Sequence, residues 1–520
     1  MSDFWIAKNL PAATVASKTA PSAAEIFMTV RIIPTLIYSL LIAQLTGCTV
    51  GPDYVRPQAT IPTNFKEIKG WKQAQPRDNL LQGKWWEIFK DAELNRLEEQ
   101  VIKANQSIAQ AEAQYRQAQH LVQSARAAYL PTGTVTGSTN RFRAASGGQS
   151  VAPPGIRNVF NTAVALAWEP DLWGSVRRQV ESNTGNAQAS AATLQALQLS
   201  TQATLADDYF QLRILDAQKA LFDETVIAYE KTLKITQNRY EAGVVAKTDV
   251  VQAETQLESA RAQAINLGVQ RAKLEHAIAV LIGKPPAELT IKPVPLDATP
   301  PPIPVSLPSE LLERRPDIAS AERKVAAANA QIGVAKAAFF PTLNLATSNG
   351  FQSNTLDTLL TAAKRYWALG PAGAALTLLD GSAKNAQYKQ AIDGLDASVA
   401  LYRQTVLTSF QEVEDNLAAL RILEQEAQVQ DKAVSAAKQT LALTSNQYKA
   451  GTISFLNVMT AQAMALNNQQ TAVQLLGDRL TASVLLIKAL GGGWNVAMLP
   501  TPDEAGGEVK WTDFLPYPVD

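Results

Sequence analysis

The sequence predicts a mainly α-helical chain with a smaller membrane β-barrel portion, built from one unit used twice. Three observations carry this reading. Short motifs recur in the same order about 208 residues apart. Residues 175–239 and 382–450 hold no proline and repeat their apolar positions at helical spacing. Ahead of each of these stretches lie two short segments that alternate apolar with small or polar residues, the period of a strand.

The N-terminal region reads first. Residues 32–45 are IIPTLIYSLLIAQL, preceded by Arg31. A basic residue, an apolar run and a small-residue end make a secretory signal. The run is too short for a bilayer-spanning helix, which needs about 20 residues. Residues 1–47 are therefore read as a signal region, with Met28 placed as a start for a signal of normal size. Cys48, the only cysteine in the chain, follows directly in Leu45-Thr46-Gly47-Cys48. This looks like a bacterial lipoprotein signal, so Cys48 is expected to carry lipid and become the mature N-terminus. Thr49, rather than Asp, suits sorting to the outer membrane. Residues 48–90 hold Pro52, Pro57, Pro62 and Pro76 without a sustained period and read as a lipidated arm. After Cys48 no run of about 18 apolar residues occurs, so no membrane-crossing helix is expected.

The first structural repeat spans 91–283 and the second 309–490, with a tail at 491–520. The Pro-rich linker at 284–308 carries nine of the 27 prolines and cannot be helical. Ala127-Ala128-Tyr129-Leu130-Pro131-Thr132 matches Ala337-Ala338-Phe339-Phe340-Pro341-Thr342, and Tyr240-x-Ala242-Gly243 matches Tyr448-x-Ala450-Gly451. Gly174-Ser175 with Gly381-Ser382, and Leu212–Leu215 with Leu420–Leu423, fall in the same order. Each repeat opens with a helix, over 91–128 and 309–338. Strands follow at Thr132–Phe142 and Val159–Trp168, and at Thr342–Gln352 and Trp367–Leu379. The long helices come next. Leu205, Tyr209, Leu212, Leu215, Phe222, Val226, Tyr229 and Leu233 trace a coiled-coil seam, with Lys219 filling its one polar position. A helix of this length runs roughly 95 Å, more than any compact domain needs. Gly243 and Gly451 end these helices, and second helices return over 246–282 and 454–489.

Composition removes most chemistry. Lys+Arg and Asp+Glu are both 47, so there is no basic surplus for nucleic acid. One cysteine and two histidines, His120 and His276, leave no Cys/His zinc site, and no phosphate-loop or nucleophile-elbow motif occurs. No enzyme, metal or cofactor is expected. Four strands cannot close a barrel, because open edges in lipid leave backbone groups unpaired. If the strands lie in a membrane the chain must oligomerise, and three copies supply twelve strands above a tube of long helices.

Cys48, Gly51-Pro52-Asp53-Tyr54, the two-fold repeat and the paired Tyr-x-Ala-Gly turns together resemble the outer-membrane efflux lipoproteins of the TolC-like family. The resemblance covers nearly all of 48–490. It implies a homotrimer, with a twelve-stranded β-barrel in the Gram-negative outer membrane joined to a long α-helical barrel in the periplasm. It also implies a passive exit duct for small toxic compounds, working with a periplasmic adaptor protein and an inner-membrane transporter in a tripartite pump. A duct for type I protein secretion is the alternative within the fold, and a periplasmic coiled-coil scaffold the alternative outside it. By the same resemblance the turns at Tyr240, Gly243, Tyr448 and Gly451 mark a periplasmic tip that is closed at rest. Asp249 falls where an acidic residue lies near the constriction, and Thr248 or Asp249 would also suit a helix cap. Leu456 keeps an apolar plug position, whereas Thr460 and Ala463 replace the acidic and basic residues common in relatives. The gate is thus expected to close by apolar contact at Leu456, with polar help from Asp249, rather than by a salt bridge.

Overall fold

The computed structural model describes residues 49–68, 83–143, 155–294, 296, 299–303, 305 and 308–508. Cys48 lies just outside them. The same order of elements occurs twice. The first run is α1 (Ala92–Ala104), α2 (Gln106–Ala127), β1 (Thr132–Arg143), β2 (Ile156–Trp168), α3 (Ser175–Glu241) and α4 (Lys247–Leu281). The second is α5 (Leu311–Arg314), α6 (Pro316–Ala337), β3 (Thr342–Ser353), β4 (Arg365–Ala375), α7 (Ala383–Lys449) and α8 (Phe455–Ala489).

The first helix of each repeat is two helices rather than one. At Asn105 the backbone is extended, and the side-chain oxygen accepts from the N–H of Ser107 at 2.9 Å and of Ile108 at 3.1 Å, capping α2. In the second repeat Pro316 forces Arg315 out of the helical region and starts α6 afresh. The strand expected to reach Leu379 stops at Ala375, and Leu376–Leu379 continue without pairing.

The long helices α3 and α7 each run 67 residues unbroken, about 100 Å. Both start the same way. The Asp171 carboxylate accepts from the N–H groups of Val176 and Arg177, and the Asp380 carboxylate from those of Ser382 and Lys384. The residue before each helix is left-handed, Gly174 at φ 79° and Ser382 at φ 73°. Gly174 therefore corresponds to Ser382, one step away from the Gly–Ser match read from the sequence.

The strands form one antiparallel meander, β1-β2-β3-β4. Its two faces differ. Val135, Val164, Leu166, Trp168, Trp367 and Leu369 share one face and are exposed. Thr134, Thr136, Ala163, Ala165, Ala346 and Ser348 share the other, where the Tyr366 hydroxyl donates to Asn161 Oδ1 at 3.1 Å. β1 and β4 are both left as open edges. Pro371 sits in β4, an edge strand, where a missing N–H is tolerated. Every α-helix among the described residues lies on the Thr132/Trp168 side of the sheet, and Trp173 ties the repeats there, its indole N–H donating to Pro341 O at 2.7 Å.

The main core sits midway along the long helices. Leu205, Tyr209, Phe210 and Leu212 of α3 and Tyr402, Phe410, Val413 and Leu417 of α7 belong to one buried apolar cluster, which also holds Trp85, Trp86, Leu94 and Leu97. Trp85 and Trp86 are both buried and meet edge to face at 5.9 Å.

Candidate functional site

The end of the molecule farthest from the sheet carries two helical hairpins with one shared turn geometry. Gly243 N–H donates to Tyr240 O and Val244 N–H to Arg239 O, both at 2.8 Å. Gly451 N–H donates to Tyr448 O at 2.9 Å and Thr452 N–H to Gln447 O at 3.1 Å. The two glycines stand at φ 76° and 79°, a conformation that costs other residues about 1–2 kcal/mol.

The two tip tyrosines are not equivalent within one chain. Tyr448 is 3% exposed and Tyr240 is 45% exposed. Tyr448 packs on Phe455 with ring centroids 5.6 Å apart and shares a hydroxyl–hydroxyl hydrogen bond of 3.3 Å with Thr236. The Arg239 guanidinium lies 4.5 Å from the Tyr448 ring centre and donates to the Tyr448 carbonyl. Arg239 and Thr236 belong to the first hairpin, so they lock it to the second. Sequence reading missed Arg239. Its only signal was a break in the repeat, since the residue before Tyr448 is Gln447.

Leu456 and Thr460 come together on one face of α8. Leu456 is 60% exposed and lines, with Met459, Thr460 and Ala463, a cavity of about 800 Å³ whose other wall is Thr248, Val251 and Gln252 of α4. The Thr460 hydroxyl donates to the Leu456 carbonyl at 3.0 Å, so it is committed to its own helix. Asp249 is half-buried in the first turn of α4 and does not line this cavity. Neither Thr248 nor Asp249 caps the helix. The cap position is Ala246, with no side-chain hydrogen bond, and the Asp249 carboxylate instead favours the positive end of the α4 dipole.

At the other end, the arm that follows Cys48 is clipped down residue by residue. Val50 N–H donates to Trp173 O at 3.1 Å. Gly51 lies so close to Gly333 that a Cβ would stand 2.6 Å from its Cα, and Gly51 is at φ 116°. Asn329 donates to Pro52 O at 3.0 Å, and Asp53 pairs with the buried Arg178 at 2.9 Å. Tyr54 donates to Glu322, and burial beside that carboxylate raises the phenol's pKa. Each residue of Gly51-Pro52-Asp53-Tyr54 thus has its own partner on α3 or α6.

A family model described as outer membrane efflux protein matches residues 97–284 and 307–492. The chain is 33% identical over 460 residues to the toluene efflux pump outer membrane protein TtgC of Pseudomonas putida, covering 86% of this chain and 93% of that one. It is 29% identical to the outer membrane protein OprJ of Pseudomonas aeruginosa, over 88% of this chain and 96% of that one. Among solved structures, the outer-membrane channel OprN superposes with a TM-score of 0.80 at 29% identity, covering 86% of this chain and 100% of that one. The open state of the Neisseria gonorrhoeae MtrE outer membrane channel superposes at 0.77 and 28% identity, covering 86% and 99%.

Proposed function

The chain belongs to the outer membrane efflux protein family, and from that premise we propose that three copies close into one twelve-stranded barrel standing on a shared helical tube. The observation that carries this is the sheet itself. It is apolar on one face and open at β1 and β4. An open edge in hydrocarbon leaves backbone groups without partners, each costing several kcal/mol. β1 and β4 run antiparallel, so β4 of one copy can pair with β1 of the next and remove both edges. The Thr-, Ser- and Ala-lined face then surrounds the passage.

The arm supports a lipid anchor at Cys48. Val50 is tied to Trp173 at the helix side of the sheet. Acyl chains on Cys48 would enter the membrane at the periplasmic end of the apolar band, the only end a periplasmic lipoprotein can reach. The protein is thus a passive outer-membrane duct for small toxic organic molecules. An inner-membrane transporter drives it, and a periplasmic adaptor docks at the tip hairpins. Leu456 supplies the apolar closure of that tip, Asp249 adds negative charge beside it, and Tyr240 meets the neighbouring copy. No metal, cofactor or catalytic step is involved.

The test is extraction of the full chain from outer membranes. Heat-modifiable trimers that conduct ions in planar bilayers support the reading, and a water-soluble monomer overturns it. Loss of palmitate label on Cys48→Ser tests the anchor separately.

A further inference from the structure

We propose that the barrel carries, at its far end, three outward-facing arginine sites that bind the phosphorylated headgroups of outer-leaflet glycolipid. The inference rests on the trimer proposed above.

The arginines share the lipid face. Pairing sets Gly133, Val135, Thr139, Arg141 and Arg143 of β1 on one side of the sheet, and the same parity runs through Val164 and Asn349 to Trp367 and Arg365 of β4. Arg141, Arg143 and Arg365 therefore point the same way as the apolar band, not into the passage. All three are exposed, and the Arg365 Nε donates to Asn349 Oδ1 at 3.3 Å, on that same face.

They also share a level. Leu345 faces Trp168, one position past the partner of Thr132, so Thr342 lies four register positions below Thr132 across two strand steps. Both threonines start a strand straight after the helix-ending proline, so they mark one height and the strands tilt by two positions per step. Arg365 faces Phe351, which faces Thr162, which faces Gly137. Gly137 is six positions from Arg143, and three steps of two bring Arg365 level with Arg143.

The two strands that carry the arginines are the open edges. Closing the barrel sets Arg365 of one copy beside Arg141 and Arg143 of the next, so each seam between copies holds one basic cluster. Residues 137–162 and 347–369 contain five basic side chains and a single acidic one, Asp357. The helices leave from the opposite end, so this end meets the outer leaflet. Arginine on an apolar surface at headgroup depth is suited to phosphate, which it can grip with two parallel N–H donors.

The experiment uses the full chain, purified as trimer in mild detergent and examined by native mass spectrometry. The probes are bisphosphorylated lipid A, its dephosphorylated form, and inorganic phosphate as competitor. The expected result is retention of up to three bisphosphorylated molecules per trimer, with at least tenfold weaker retention in R141Q/R143Q/R365Q and for the dephosphorylated lipid. Should the triple variant fail to assemble, Arg365→Gln and Arg141→Gln are each expected to lose at least threefold. Equal retention by variants and wild type, equal binding of the dephosphorylated lipid, or displacement by millimolar phosphate alone overturns the proposal. Heat-modifiability of each sample separates the two readings. A wild type without trimers removes the barrel and this site together, whereas intact trimers without the difference remove only the site.

Discussion

The Arg239 guanidinium of the first hairpin sits 4.5 Å from the centre of the Tyr448 ring of the second, and donates to that residue's carbonyl. One side chain thereby fastens two coils that the chain separates by some two hundred residues. A cation over an aromatic face contributes about 0.5–2 kcal/mol. Arg239→Ala is expected to raise spontaneous opening of the tip, seen as roughly tenfold more frequent conducting events in planar bilayers, about 1.4 kcal/mol. Arg239→Lys should recover part of the closure. An unchanged opening frequency in the alanine variant would refute the latch.

Leu456 and Thr460 stand one turn apart on the same wall and are expected to behave differently. Leu456 offers an exposed apolar side chain to the cavity between α4 and α8. Thr460 already spends its hydroxyl on the Leu456 carbonyl. Leu456→Ala should raise resting conductance several-fold, while Thr460→Val, which keeps the shape, should leave it alone. A large effect of Thr460→Val with none from Leu456→Ala would reverse the roles assigned to them.

How far these features were readable in sequence varies with their physics. The long helices, the hairpin turns and the period-two strands follow from local rules, so Gly243, Gly451 and the alternation through Val164 and Leu166 were legible. The breaks at Asn105 and Pro316 were locally signalled too, by a capping side chain and a proline inside an apparent helix, and were passed over because the apolar period continues across them. Arg239 over Tyr448 and Arg178 on Asp53 are long-range meetings fixed by packing, and no spacing announces them. Asp249 looked like a cap because Thr and Asp favour that position, but the helix begins two residues earlier, at Lys247, with Ala246 as its cap.

The two faces of β1 give a test of which side meets lipid. Val135 and Thr134 are neighbours on opposite faces. An arginine facing hydrocarbon costs up to about 2–4 kcal/mol, most at the midplane and less toward either interface, and one facing a wet passage far less. Val135→Arg should lower the yield of assembled trimer sharply, and Thr134→Arg should assemble normally with altered ion selectivity. The opposite pattern in semi-native gels would mean the sheet is inside out.

Glu98 carries the last prediction. It lies in α1 with no exposure, and neither carboxylate oxygen has a hydrogen-bond partner among the described residues. Burial alone pushes its pKa well above the usual carboxylate value. A folded-state pKa above the unfolded one means that the native chain holds its proton longer. The stabilising contribution is therefore complete below the unfolded value and lost as pH rises through the folded one. Glu98→Gln keeps the shape and cannot ionise. Thermal melts of the trimer should coincide for wild type and variant near pH 4 and separate as pH rises, with the glutamine variant the more stable. Parallel curves from pH 4 to 9 would show that Glu98 finds a partner for its charge in the assembled protein.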